Sequence, residues 1–214
     1  MRNNKVFSIC AVALGALVFF VSAYMQTSGD SQKSNSVAYQ SELLIRAHSL
    51  VKGSSSAPVT IVEFLDPECE ACRAMHPIVK QLLSEYGDRV RFVIRYMPLH
   101  GNSRLAAAAL EEARELGKYD QALDILFENQ PIWGSHHNPR PELISSYLKE
   151  IGISEEFLAA DYLIPKHKWK IDLDETDGKA LGIRQTPTFF VNGVMLPEIG
   201  YQPIKVAIEI ALKK

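Results

Sequence analysis

Cysteine is scarce in this chain: three residues in 214. One of them, Cys10, sits in an apolar N-terminal stretch and reads as apolar filler. The remaining two cannot build the multi-bridge framework that staples small secreted domains. Other absences narrow the function further. No internal repeat is present, which excludes solenoids and propellers. No phosphate-binding loop or dinucleotide fingerprint occurs. Neither sign of charge dominates, since 23 Lys and Arg face 25 Asp and Glu. A formal charge of −2 leaves no polybasic surface for nucleic acid.

With 47% apolar and 22% charged residues, the composition is that of a globular protein. The length suits one sizeable domain, or a domain with an insertion. The first 26 residues differ from the rest. Arg2 and Lys5 precede an uncharged stretch from Val6 to Gln26, the pattern of an export signal. Val21-Ser22-Ala23 offers small residues for cleavage, while the stretch is also long enough to span a bilayer. Residues 1–26 are therefore expected to be a signal peptide or an N-terminal membrane anchor. Either way the folded part lies outside the cytoplasm. Residues 27–36 are polar and low in complexity, and residues 27–46 are expected to be a linker. Without residues 1–23 the chain keeps 21 basic and 25 acidic residues, net −4, and only Cys69 and Cys72.

That pair is Cys69-Glu70-Ala71-Cys72, placed after the apolar run Val59–Leu65 and at the start of a helix-like stretch to Tyr86. Two thiols in this spacing close a disulfide and open it again. A helix N-terminus carries partial positive charge and free N–H groups. Both favour thiolate on the first cysteine, and the thiolate is the species that attacks disulfides. An oxidising compartment in which the only cysteine pair occupies a short loop points to redox catalysis rather than stapling.

The order of elements follows from periodicity and turn residues. A short strand is expected near Ser49–Lys52, then the turn 53–58, a buried strand Val59–Leu65, a helix from about Cys69 to Tyr86, and a strand Val90–Tyr96. Apolar Met75, Ile78, Val79, Leu82 and Leu83 recur at helical spacing, and Pro77 is expected to kink the helix. Residues 100–182 read as a helical block. It has an Ala-rich helix from Asn102 or Ser103, one from Tyr119 to Asn129 cut by Pro131, one opening at Pro141, another start at Ser154, and a last one from Pro165 or Lys166. Strands return at Thr188–Val191 and Val194–Leu196 across Asn192-Gly193. A final helix is expected to open at Pro203.

This β-α-β, helical insertion, β-β-α order resembles the thioredoxin fold, and the insertion makes it similar to the DsbA-like family of exported thiol–disulfide oxidoreductases. The resemblance rests on residues 62–72, on Thr186-Pro187-Thr188-Phe189-Phe190-Val191-Asn192-Gly193 and on the turn before Val59, and it covers residues 47–212. It implies an α/β thioredoxin-like domain made of residues 47–99 and 183–214, interrupted by an all-helical insertion at 100–182. It further implies that Cys69 is the nucleophile and Cys72 the resolving thiol, that Thr186–Pro187 is a cis peptide bond presenting backbone to a substrate strand, and that Glu63 is a buried acid moving a proton to or from Cys72. Strongly oxidising members carry no acid between their cysteines. Glu70, with Glu68 before it, is therefore expected to weaken the oxidant.

Taken together, the expectation is a periplasmic or otherwise extracytoplasmic protein-disulfide oxidoreductase that needs no cofactor beyond its cysteines. Its partners would be unfolded or cysteine-containing polypeptides and a redox partner that resets the pair. The alternatives are a disulfide isomerase or reductase working in the dithiol state, and an exported metal-binding protein using Cys69, Cys72 and His76 with His100, His136 or His137. The metal alternative lacks a second cysteine pair for a closed zinc site.

Overall fold

The computed structural model describes residues 40–213. The expected signal or anchor (1–26) and most of the expected linker lie outside the described residues. All the elements below fall in one compact unit that begins at Leu43.

β-Branched and aromatic runs bounded by turns form five strands: β1 (Leu50–Lys52), β2 (Val59–Leu65), β3 (Val90–Tyr96), β4 (Thr188–Val191) and β5 (Val194–Met195). They lie in the order β1-β3-β2-β4-β5. Only β2 and β3 are parallel, as a helical crossover requires. That crossover is α1 (Glu70–Tyr86). Its buried residues Cys72, Met75, Val79, Leu82 and Tyr86 alternate three and four apart, one stripe laid against the sheet. Pro77 sits within this helix.

Side chains along β2 alternate between two cores. Val59, Ile61 and Leu65 face the core shared with α1, whereas Val62 and Phe64 face a second one with Val93, Met97 and Phe190. The period of two puts Glu63 on the α1 side, beneath the cysteine pair. The β4–β5 hairpin turns through Asn192 and Gly193, both at positive φ (45° and 83°), as the Asn-Gly signal predicts.

Between β3 and β4 run four helices: α2 (Ser103–Glu115), α3 (Tyr119–Trp133), α4 (Leu143–Glu150) and α5 (Ala160–Ala180). A last helix, α6 (Tyr201–Ala211), returns to the sheet. Several expected boundaries move. α3 continues through Pro131 to Trp133, whose wholly buried indole donates Nε1–H to the Leu126 carbonyl and holds the last turn. α5 starts at Ala160 rather than Pro165, because buried Leu163 extends its apolar contact one turn earlier. Ser154 opens only a 3-10 turn, Glu155–Phe157, and α4 starts at Leu143, after Pro141. α6 begins two residues before Pro203.

α5 is seated on the sheet by charge and by close approach. Arg95, fully buried on β3, donates from Nε to Asp174 (2.5 Å) and from Nη2 to Asp177 (2.6 Å). Arg46 meets Asp177 from the other side. At Gly178 an added Cβ would come 2.8 Å from Met97 Sδ and 3.3 Å from the Phe64 ring. The small residue is what lets the helix approach.

Candidate active site

Cys69 is the N-cap of α1, with extended backbone (φ −79°, ψ 124°). Ser, Asp or Asn would place an oxygen on the amides of the second and third helical residues there. Here the sulfur makes no side-chain cap hydrogen bond, but the backbone N–H groups of Ala71 and Cys72 favour its ionised form. Both thiols are free. The Cys69 thiol lies 3.3 Å from the Thr186 carbonyl oxygen. The Thr186–Pro187 bond is cis, in agreement with the expectation. Cys69 is only 8% exposed, with the Thr186 carbonyl against its sulfur.

The two sulfurs differ sharply in acidity. The Cys69 thiol is lowered from 9.0 to about 5, first by a hydrogen bond from Cys72; burial opposes this, and donors on Thr186 and the two amides add to it. The buried Thr186 hydroxyl has no hydrogen-bond partner among the described residues and favours the Cys69 thiolate nearby. Cys72 is wholly buried, and its pKa is raised well above 9.0 by burial, then by Cys69 and Glu63. Its sulfur accepts the Asp66 N–H at 3.4 Å.

Glu63 is 5% exposed, which excludes the solvated strand carboxylate. Burial pushes its pKa up to about 8, with Lys52 pulling the other way. Glu63 and Cys72 line a small cavity with Lys52 and His76, about 30 Å³ in volume. That is room for one water.

The loop before the pair is held by side chains that sequence reasoning missed. Asp66, fully buried, accepts the Glu68 N–H on one oxygen, and the Leu99 N–H and His100 Nδ1 on the other (2.9, 2.7 and 2.7 Å). Glu68 accepts the backbone and side-chain N–H of Asn102 (2.6 and 2.8 Å). Gln130 donates from Nε2 to the carbonyls of Pro67 and Cys69. Asp-Pro is a turn signal, and it was the one available cue to Asp66.

The histidines go to separate partners. His76 pairs with Asp124 (2.6 Å), His100 with Asp66 (2.7 Å) and His136 with Glu70 (2.6 Å). Three ligand atoms from Cys69, Cys72 and His76 do not converge. Among the described residues only Glu112, Glu115 and His167 bring three such atoms together. Lys166 Nζ lies 2.6 Å from Glu112 and 2.9 Å from Glu115, so these carboxylates already hold a cation. The segment after α3 meets the site through His136.

The fold and this site have known relatives. A family model described as Thioredoxin matches residues 46–209. A thioredoxin-like oxidoreductase from Silicibacter pomeroyi DSS-3 superposes with a TM-score of 0.69 at 27% identity, covering 81% of this chain and 98% of that one. BdbD from Bacillus subtilis, in its oxidised form, gives 0.66 at 30% identity over 78% and 94%. The α-DsbA1 protein of Wolbachia pipientis shares the fold at 20% identity, with a TM-score of 0.69 over 81% and 94%. A stretch of 143 residues, 67% of this chain, is also 34% identical to part of a Na(+)/H(+) antiporter NhaA from Herminiimonas arsenicoxydans. The chain spans about a fifth of the length of the curated relatives it matches, 22% in that case. No helix among the described residues is long and apolar enough to cross a membrane. The chain belongs to the thioredoxin family.

Proposed function

We propose that this protein is an exported protein-disulfide oxidoreductase that exchanges disulfides with cysteine-containing polypeptides through Cys69 and Cys72. The observation that carries the reading is the split between the sulfurs, one lowered to about 5 and the other raised above 9. A stabilised thiolate favours the reduced enzyme, and so makes its disulfide an oxidant.

In the oxidising direction a substrate thiolate attacks Cys69 of the closed disulfide. The Cys69–Cys72 bond breaks and a mixed disulfide forms on Cys69. Cys72 leaves as thiolate and takes a proton, for which Glu63, protonated up to about pH 8, is the buried donor beside it. A second substrate thiolate then attacks the substrate sulfur of the mixed disulfide. Cys69 departs, and its low pKa makes it a good leaving group. Two electrons have passed from substrate to enzyme, and a redox partner must remove them. Thr186 and Pro187 face the incoming chain with backbone groups, beside a groove of about 650 Å³ lined by Gln185, Met195 and Leu196 among others. Backbone contact of this kind selects substrates loosely. Export is supported by the Arg2/Lys5 and apolar pattern of residues 1–26.

The test is oxidation of a two-cysteine peptide by the oxidised protein, followed by mass. Stoichiometric peptide disulfide from wild type and none from Cys69→Ser supports the reading. Equal rates from both proteins refute it.

A further inference from the structure

Four polar side chains ring the start of α1 and come from three separate parts of the chain. Asp66 lies in the loop after β2, Glu70 in the first turn of α1, His100 between β3 and α2, and His136 after α3. They form a continuous row. His100 Nδ1 meets Asp66 Oδ2 at 2.7 Å, the rings of His100 and His136 lie 5.9 Å apart, and His136 Nε2 meets Glu70 Oε1 at 2.6 Å. Asp66 is fully buried, and its backbone N–H is on the Cys72 sulfur. The row is thus fastened to the cysteine loop at both ends.

We propose that His100 is a positioning residue for the exchange reaction: oriented by Asp66, it supplies the cationic field that holds the Cys69 thiolate, while His136 neutralises Glu70 on the same rim. This rests on the oxidoreductase reading above. The dipeptide between the cysteines brings one acid and no base, so neither its side chains nor the α1 amides account for a counter-cation. The helical block delivers one instead, through the loops at the entry of α2 and the exit of α3.

All but one of the groups facing His100 are anionic or become so, the exception being a second imidazole. From the β2–α1 loop these are Asp66 and Glu68, from the start of α1 they are Cys69 and Glu70, and from the α3 exit His136. Burial disfavours the charge on His100, but the hydrogen bond and charge of Asp66, followed by Cys69 and Glu68, raise its pKa above 6.5. Glu70 in turn is lowered, first by its own backbone N–H and, against burial, by His136 and His100. A thiolate and three carboxylates therefore share two imidazoles. The device is pH-sensitive: as His100 loses its proton with rising pH, the thiolate loses its counter-charge and becomes a better nucleophile but a poorer leaving group.

The experiment is an ultraviolet thiolate titration of the reduced full chain, which needs no substrate. Wild type, His100→Gln, His100→Lys and His136→Ala are compared, with the glutathione equilibrium of each. His100→Gln is expected to raise the Cys69 pKa by about one unit, a tenfold loss of acidity, and to shift the glutathione equilibrium toward the disulfide. His100→Lys restores the cation and should recover most of the shift, which a merely structural role would not predict. His136→Ala changes an exposed side chain, so it tests the row even where His100→Gln fails to fold. It should raise the Cys69 pKa by freeing Glu70. If neither His100→Gln nor His136→Ala moves the Cys69 titration, the proposal is overturned. A wild-type Cys69 that titrates near 9 would instead overturn the oxidoreductase reading on which it stands.

Discussion

Cys69 and Thr186, 117 positions apart in sequence, meet at 3.3 Å from sulfur to carbonyl oxygen. This meeting brings the first half of the sheet, with the reactive helix, against the second half, with the loop that faces substrate. It exists because β4 pairs antiparallel with β2, in register Phe64 to Thr188. The residues just before β4 then pass the N-terminus of α1. A site split this way explains why Cys69 is covered on one side and why its thiolate finds donors from two elements.

Thr186→Val tests the donor from that second half. The change keeps the branched shape and removes a hydroxyl that has no hydrogen-bond partner among the described residues. The Cys69 pKa should rise by a few tenths to about one unit, while the fold, followed by circular dichroism, stays intact. An unchanged titration would show that the hydroxyl does not serve the thiolate.

The stability of the reduced protein should depend on pH through Cys69. Its folded pKa is depressed, about 5 against an ordinary 9.0. The stabilisation is therefore complete above the unfolded value and is lost as pH falls through the folded one. Between about pH 5 and 9 the reduced form should gain on the oxidised form, which has no thiol to titrate. Cys72 adds an opposing slope only above its ordinary 9.0. Urea denaturation of both redox forms across this range measures the difference. Parallel curves would contradict the assignment.

Glu63 acts in the opposite sense. Its folded pKa is raised to about 8 from 4.5, so the folded state holds a proton that the unfolded state has released. Stability should fall as pH rises between those values and level off above the upper one. Glu63→Gln should remove that slope in both redox forms and stabilise the protein near neutrality by a few kcal/mol, each pKa unit being worth about 1.4 kcal/mol. It should also slow the steps in which Cys72 exchanges a proton, by about 10-fold to 1000-fold. A variant that is more stable and equally fast would assign Glu63 no role in proton transfer.

Glu70→Gln should raise the reduction potential modestly. The carboxylate stands at the helix start, where it competes with the thiolate for the same positive end. Its charge is already met by His136, so the glutathione equilibrium should move toward the dithiol by only about twofold to threefold. Glu68, expected from sequence to act the same way, points elsewhere: its oxygens are taken by Asn102, with Ser103 at 3.4 Å.

Arg95→Met should cost about 3–5 kcal/mol, because Asp174 and Asp177 would be left buried and without their common partner. Thermal unfolding of the oxidised protein measures this. A loss within the range of a surface substitution would mean that Arg46, His48 and the packing at Gly178 hold the α5 seat without Arg95.

The strands were legible because each obeys a local rule. Val59–Leu65, Val90–Tyr96 and Thr188–Val191 are buried runs stopped by turn residues, and they appear with the expected bounds. Cys69 and Cys72 were legible because spacing alone sets their separation on a helix. The ends of α3 and α5 were not, since Pro131 and Pro165 are helix-breakers only until a buried Trp133 or Leu163 outweighs the lost hydrogen bond. Arg95, Asp66 and Gln130 look like ordinary surface residues in sequence, and Glu68 like a second acid at the helix start. Their burial depends on partners 33 to 82 positions away, which no local period reveals. His136 belongs with them, an exposed loop residue whose meaning comes only from Glu70 beside it.

The most direct measurement is the titration of the Cys69 thiolate in the reduced wild-type protein, with Cys69→Ser as the blank. The account predicts a midpoint near 5, followed by no second thiol below about 9. A single midpoint near 9 for both sulfurs would contradict it.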